Sequence, residues 1–113
     1  MALFPIHRSF VYNDQIKPVS DFVISENEGG IYEVVRVVNR IPLFLNEHLT
    51  RFYHSAQIAG KEIAYSEKQI EIFLNNLIEE NQVSEGNVLL SCKTNLKVFF
   101  ITHNYPKTFQ YLT

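Results

Sequence analysis

The chain has 113 residues, of which 46% are hydrophobic and 19% charged, which fits one globular domain over residues 1–113 and argues against disorder. The formal net charge is −2 and the basic residues are scattered, so nucleic acid is not expected as a partner. No apolar run approaches the roughly 20 residues that cross a bilayer, and no signal peptide is visible, so no membrane partner is expected.

The N-terminal half of the chain is predicted to be mostly strand. Asn13-Asp14 suits a tight hairpin turn, and Asn39-Arg40 suits a second one. Pro42 predicts an edge or irregular position for the strand that contains it. A polar segment ending in two glycines separates the two hairpins and predicts a loop. The predicted strands span residues 9–12, 15–19, 31–38 and 41–45.

Two amphipathic helices and a last hairpin follow. The first helix has Asn46 as its predicted N-cap and Gly60 as its stop, and in the second Ser66 and Gln69 form a capping box. Gly86 is placed in the loop that leaves the second helix. The last two predicted strands span residues 87–93 and 96–103. This order predicts an α+β fold: an antiparallel sheet with two helices packed on one face.

The strand over residues 31–38 carries charges among β-branched neighbours. Its period of two places Tyr32 and Arg36 on one face and Glu33 on the other, and both faces are largely apolar, which predicts a central strand. Each charge then needs a salt bridge or a position at the rim of the sheet. Alternatively, Tyr32 and Arg36 line a pocket in which Arg36 clamps a carboxylate through a bidentate pair.

The first predicted helix has a polar stripe beside its apolar face. His48, Arg51 and Ser55 lie at positions i, i+3 and i+7, and Arg51 points away from the core. A solvated face is the ordinary explanation of this pattern. A phosphate site is the alternative, because arginine presents a fork of donors matched to phosphate oxygens and a helix start favours anions. His48 is expected to cap the helix or to pair with Glu47.

The other chemistry-bearing residues give no pattern for a metal or a nucleophile. His7, His54 and His103 lack metal-ligand spacing, so no metal is expected. Ser55 has no His-Asp pattern beside it, and no residue of the chain is predicted to be catalytic. Cys92, the only cysteine, is predicted to be a core residue; it excludes an internal disulfide and fits the cytoplasm.

Three motifs occur in a characteristic order. Residues 30–33, Gly-Ile-Tyr-Glu, open the strongest strand, Arg36 follows, and residues 47–56 of the first helix read EHLTRFYHSA. This order resembles the N-terminal domain of the class IV aminotransferases. These fold-type-IV pyridoxal 5′-phosphate (PLP) enzymes include D-amino-acid and branched-chain aminotransferases and aminodeoxychorismate lyase. The similarity extends from Val11 to Lys93 and is most specific in the helix block.

The resemblance implies roles for three residues. Arg51 matches the arginine that contacts the PLP phosphate, Tyr32 matches an aromatic at the substrate pocket, and Arg36 matches a basic or polar position on the same wall. All three are then expected to face one cleft. As an exposed residue, Arg51 is also expected to be replaceable by alanine with little change in stability.

The resemblance also implies that the chain is half of an active site. In the family, the lysine that binds PLP lies in a C-terminal domain, and no lysine of this chain matches it. We therefore expect PLP in the complete enzyme and none on this chain alone, with the C-terminal domain as partner in a homodimer or larger homo-oligomer. The reaction implied is transamination of an amino acid or an elimination of the aminodeoxychorismate-lyase type. The alternative is a stand-alone, non-catalytic interaction module that retains this fold.

Overall fold

The computed structural model describes residues 4–23 and 30–102. The strands are β1 Ser9–Tyr12, β2 Gln15–Pro18, β3 Ile31–Val38, β4 Ile41–Pro42, β5 Gly86–Cys92 and β6 Leu96–Ile101; the helices are α1 Leu45–Ile58 and α2 Glu67–Asn81. Within the described ranges the strands form one sheet in the order β2-β1-β6-β5-β3-β4, and all neighbours are antiparallel. The predicted α+β fold with an antiparallel sheet is confirmed.

Both helices pack on the same face of the sheet, as predicted. The apolar stripe of α1 contributes Leu49 and Phe52, that of α2 contributes Leu74 and Leu77, and all four are fully buried. Alternate residues of β3, β5 and β6 point into this core, among them Val35, Val37, Val88, Leu90, Val98 and Phe100. Removing this apolar surface from water is the main term that favours the fold.

The opposite face of the sheet, called the second face below, carries a smaller aromatic core. Phe10, Leu89, Phe99 and Ile101 are buried there. The ring of Phe22, from the segment after β2, packs edge-on against Phe10 and Phe99 at centroid distances of 5.1 and 4.9 Å. Strands β5 and β6 are therefore buried on both faces, which explains why their sequences are almost continuously apolar.

Turn and cap predictions divide into those confirmed and those corrected. Asn39 and Arg40 both have positive φ angles in the turn between β3 and β4, and the capping box of Ser66 with Gln69 is present. Gly60, with φ of 70°, follows the end of α1 as predicted. The predicted N-cap at Asn46 is wrong: the N-cap is Phe44, two residues earlier, which has a left-handed backbone and makes no side-chain cap bond.

The strand boundaries also differ from the predictions. The strand predicted over residues 41–45 keeps only Ile41–Pro42, because the chain turns at once into α1. Gly86 belongs to β5 and not to the preceding loop; there a Cβ would meet the Phe100 ring at 3.0 Å. His103 and most of the predicted loop before Gly30 lie outside the described residues.

Candidate functional site

Strand β3 separates the residues predicted to form the site. Glu33 lies on the helix-covered face with Val35 and Val37, whereas Tyr32 and Arg36 lie on the second face. Arg51 comes from α1 and contacts Glu33, so it belongs to the helix side. The structure therefore does not bring Arg51, Tyr32 and Arg36 together on one face, and the expectation of a shared cleft is not met within this chain.

Glu33 is the centre of a charged cluster under α1. Its side chain is 1% exposed, and its carboxylate accepts hydrogen bonds from Arg51: Nε lies 3.1 Å from both Oε1 and Oε2, and Nη2 lies 2.8 Å from Oε1. His48 Nδ1 approaches the same Oε1 at 2.7 Å. We call these three residues the Glu33 cluster. Of the two partners considered for the charge on this strand, a salt bridge or the rim, the structure shows a salt bridge.

The helical period explains why two side chains of α1 reach one carboxylate. His48 and Arg51 are three residues apart, hence neighbours on the surface of α1, while Leu49 and Phe52 hold the adjacent stripe against the sheet. The polar stripe recognised in the sequence is thus partly a buried-charge site and not only a solvated face. The prediction that His48 caps the helix or pairs with Glu47 is wrong, because its partner is Glu33 on β3.

The protonation states of the Glu33 cluster follow from its contacts. Burial opposes ionisation of Glu33, but the hydrogen bonds and charges of His48 and Arg51 outweigh it, so the pKa of this carboxyl lies below its ordinary value. The bond to Glu33 raises the pKa of Arg51. His48 Nδ1 must carry hydrogen, since a lone pair placed 2.7 Å from a carboxylate oxygen would be repelled.

Arg51 keeps one edge of its guanidinium directed outward. Glu33 occupies the side edge formed by Nε and Nη2, while the side chain as a whole is 46% exposed. The end edge consists of the N–H groups of Nη1 and one N–H group of Nη2. Among the described residues its only neighbour within hydrogen-bonding distance is His48, whose Nδ1 lies 3.2 Å from Nη2. This contact is not a hydrogen bond, because Nδ1 carries hydrogen and so offers no lone pair to Nη2. An outward guanidinium fork fits a phosphate group, so the donor set suits the PLP phosphate that the resemblance implies.

Strand β3 presents an open edge beside this fork. Val37 and Val38 pair with β4, and the carbonyl of Arg36 accepts a hydrogen bond from the N–H of Leu43, so along residues 31–35 no described segment pairs with the side away from β5. Strand β3 has a neighbour on each side, as predicted for a central strand, but β4 pairs with only two of its eight residues. The short β4 thus leaves this part of β3 without a second strand partner among the described residues.

Tyr32 and Arg36 occupy the second face next to this edge. Tyr32 is half-buried against the cluster of Phe10 and Phe99, and burial, with a smaller contribution from Glu33, raises the pKa of its hydroxyl. Arg36 is half-buried opposite Asn87 of β5. Their predicted role at a substrate wall stays a prediction.

Other groups with chemical potential lie away from this edge. A cavity of about 200 Å³ on the second face is lined by Phe10, Tyr12, Lys17, Asp21, Val23 and Lys97. Sequence analysis did not point to it, because Lys97 looks like an ordinary strand lysine yet is 3% exposed, with Nζ 5.5 Å from the centre of the Phe22 ring. Cys92 is buried, and burial raises the pKa of its thiol, which suits a core residue.

Neither a metal-binding cluster nor a membrane-spanning helix is found within residues 4–23 and 30–102. Over these residues, no group of three or more His, Cys, Asp and Glu side chains could hold a metal ion. In the same ranges, neither helix is long and apolar enough to cross a membrane.

Comparison with known proteins connects this geometry to a family. A family model described as Amino-transferase class IV matches residues 30–108, which include β3, α1 and the Glu33 cluster. The chain belongs to the class IV aminotransferases. The matched range includes the strand and helix block that the resemblance singled out.

Individual relatives of this class IV chain are much longer than it is. D-alanine aminotransferase of Bacillus licheniformis is 38% identical over 61 residues, which cover 54% of this chain and 22% of that protein. The D-alanine aminotransferase of Listeria innocua is 36% identical over 84 residues, with coverages of 69% and 29%. The chain thus spans 22–29% of the length of these curated relatives.

A solved structure shares the fold. The branched-chain amino acid aminotransferase of Escherichia coli superposes with a TM-score of 0.74 at 13% identity, covering 86% of this chain and 41% of that one. At this identity the likeness shows the fold alone.

Proposed function

We propose that this chain supplies the N-terminal wall of the PLP site in a class IV aminotransferase, with Arg51 as the ligand of the cofactor phosphate. The observation that carries the proposal is the outward end edge of the Arg51 guanidinium, which Glu33 holds beside the open edge of β3. PLP, when bound, supplies an electron sink for bond changes at the substrate. The work assigned to this chain is binding and orientation.

The open edge of β3 is where the two separated sets of residues can border one ligand. Arg51 and Glu33 lie on one side of this edge, and Tyr32 and Arg36 lie on the other. A ligand placed along the edge reaches both sides, whereas one placed on either face reaches only one set. In this arrangement Arg51 binds the phosphate, and Tyr32 and Arg36 face the substrate.

The remaining parts of the site are proposed to come from a C-terminal domain and from a second copy of the enzyme. The lysine that binds PLP is assigned to that domain. Ile41 and Phe44, 59% and 70% exposed, give the chain apolar surface close to β3 that a covering domain would remove from water. The reaction proposed is transamination of an amino acid. D-alanine is the substrate in the names of two relatives, and an elimination is the second outcome that this cofactor permits.

A pair of matched ligands tests the phosphate assignment on the chain itself. Pyridoxamine 5′-phosphate and pyridoxamine differ by the phosphate alone, and neither carries the aldehyde that would react with surface lysines. Backbone amide NMR shifts of the labelled 113-residue chain are followed during titration with each ligand. The variants are Arg51→Ala and, as a control that removes the same charge at a 79% exposed position, Lys68→Ala.

We expect the phosphorylated ligand to shift amides of residues 30–36 and of the start of α1, with a dissociation constant on the order of millimolar for one exposed charge-assisted pair. The same chain should respond far less to pyridoxamine. Arg51→Ala should abolish the preference for the phosphorylated ligand, and Lys68→Ala should retain it. Equal responses to both ligands, or an Arg51→Ala variant that binds as the wild type does, would refute the assignment.

A further inference from the structure

The proposed function names the buried carboxylate of Glu33 only as the partner of Arg51 and assigns it no part in phosphate binding. We propose that Glu33 is a positioning residue of the phosphate site: it holds the side edge of the Arg51 guanidinium and leaves the end edge for the phosphate. The inference rests on the proposed function of Arg51 and adds a second residue to it. Glu33 itself is too deeply buried, at 1% exposure, to contact a ligand.

The contacts fix the orientation of the guanidinium plane. Nε lies 3.1 Å from each carboxylate oxygen and Nη2 lies 2.8 Å from Oε1, so two neighbouring nitrogens of one planar group bind one carboxylate. A single contact would let the plane turn about the bond, whereas a side-on pair does not. The end edge therefore keeps one direction, set by the backbone of β3.

His48 fixes the carboxylate in turn. Its Nδ1–H donates to Oε1 of Glu33 at 2.7 Å, and its side chain is only 17% exposed. Glu33 is also tied through its strand, since it lies opposite Leu90 in the paired strand β5. The Glu33 carboxylate is thus held in place both by His48 and by the pairing of its strand. Without this fixed partner, the exposed side chain of Arg51 would sample many rotamers.

The stability of the fold does not require a charged residue at position 33. The same face of β3 carries Ile31, Val35 and Val37, all buried and apolar. An apolar residue would fill position 33 without desolvating a carboxylate, and exchanges of buried ion pairs for apolar residues are often neutral or stabilising. The carboxylate at position 33 is therefore explained by its effect on the orientation of the Arg51 guanidinium.

Positioning and simple electrostatics predict opposite results when the carboxylate is neutralised. Glu33 is a negative charge close to the proposed phosphate, so its removal should tighten anion binding if only Coulomb forces act. If Glu33 positions Arg51, its removal frees the guanidinium and weakens binding in spite of the more favourable net charge. The sign of the change therefore separates the two explanations.

The test uses inorganic phosphate and the 113-residue chain at pH 7 and constant ionic strength. Dissociation constants are measured by NMR for the wild type, Glu33→Gln, Arg51→Ala and the control Lys68→Ala. We expect Glu33→Gln to weaken binding about fivefold, which corresponds to about 1 kcal/mol at 25 °C and to the ordering of one long side chain. Lys68→Ala should bind as the wild type does.

The outcomes distinguish the inference from the function on which it rests. Loss of binding in Arg51→Ala together with unchanged or tighter binding in Glu33→Gln overturns the positioning role and leaves the phosphate ligand in place. Undiminished binding in Arg51→Ala overturns the proposed function itself.

A measurement on the wild type covers the case in which Glu33→Gln does not fold. Side-on pairing should stop rotation of the Arg51 guanidinium, so its two Nη nitrogens should give separate resonances, with and without phosphate. A single averaged resonance in the folded wild type would overturn the positioning role without any substitution.

Discussion

Asn81, at the end of α2, is predicted to be a polar residue on which the fold depends strongly. Its Oδ1 accepts hydrogen bonds from the backbone N–H groups of Arg8 and Ser9, both at 2.8 Å. Its Nδ2 donates to the carbonyls of Ser9 at 3.2 Å and Leu77 at 2.9 Å. The side chain is 6% exposed, so these bonds join β1 to α2 in a place that water reaches poorly.

Replacing Asn81 by alanine removes all four bonds at once. The backbone N–H of Ser9 is left buried without its acceptor, and that of Arg8 is left half-buried. An unsatisfied buried donor costs about 1–3 kcal/mol, and alanine returns roughly 0.5 kcal/mol through its helix propensity. We therefore expect Asn81→Ala to lower the free energy of unfolding by about 2–4 kcal/mol.

Urea denaturation, followed by circular dichroism, measures this loss. The midpoint should fall while the slope stays constant, because the surface exposed on unfolding does not change. Asn76→Ala is the matched control, since Asn76 is exposed on the same helix, and its effect should stay within about 0.5 kcal/mol. If Asn81→Ala loses no more stability than Asn76→Ala, the reasoning about buried hydrogen bonds is refuted.

Three further predictions concern the proposed site and its surroundings. Because the pKa of Glu33 is lowered in the fold, its contribution is complete above its ordinary pKa of 4.5 and is lost as pH falls through the folded value. Acid titration of stability should therefore be steeper in the wild type than in Glu33→Gln, and equal slopes would contradict the ion pair. Arg51→Ala should lower the free energy of unfolding by about 1–2 kcal/mol, measured by urea denaturation at pH 7. This value is smaller than for a fully buried ion pair, because Arg51 is partly exposed and His48 remains as a partner of Glu33. A loss no larger than that of Lys68→Ala would mean that Arg51 is a dispensable surface residue. Incubation with PLP and borohydride reduction should label no lysine stoichiometrically, and one fully labelled lysine in the mass spectrum would count against a separate lysine-bearing domain.

The revised expectation for Arg51 shows where reasoning from the sequence ended. Its position on a polar stripe of α1 was correctly predicted, whereas anion binding at this stripe stays a prediction. The stripe did not reveal the buried carboxylate beneath it, because Glu33 is 18 residues away and on another element. The exposed arginine therefore looked dispensable for folding, and the structure changes that expectation.

Features encoded within a few residues were determined by the sequence alone. The apolar stripes of α1 and α2, the capping box at Ser66 and the turn at Asn39-Arg40 are all present as predicted. Each depends on a helical period, on one side chain bonding a nearby backbone group or on the φ angles that a residue tolerates. These are local physical properties, so the printed sequence is sufficient to predict them.

Only the tertiary structure decided which distant groups meet. Asn81 bonds the backbone of Ser9, which lies 72 residues away in the sequence. Glu33 accepts hydrogen bonds from His48 and Arg51 of α1, and the period of strand β3 could not predict where that helix packs. The short β4 leaves the edge of β3 open, while the alternation of β3 places Tyr32 and Arg51 on opposite sides of it. Each of these depends on the order of strands and the placement of helices, which arise when the whole apolar surface is buried together.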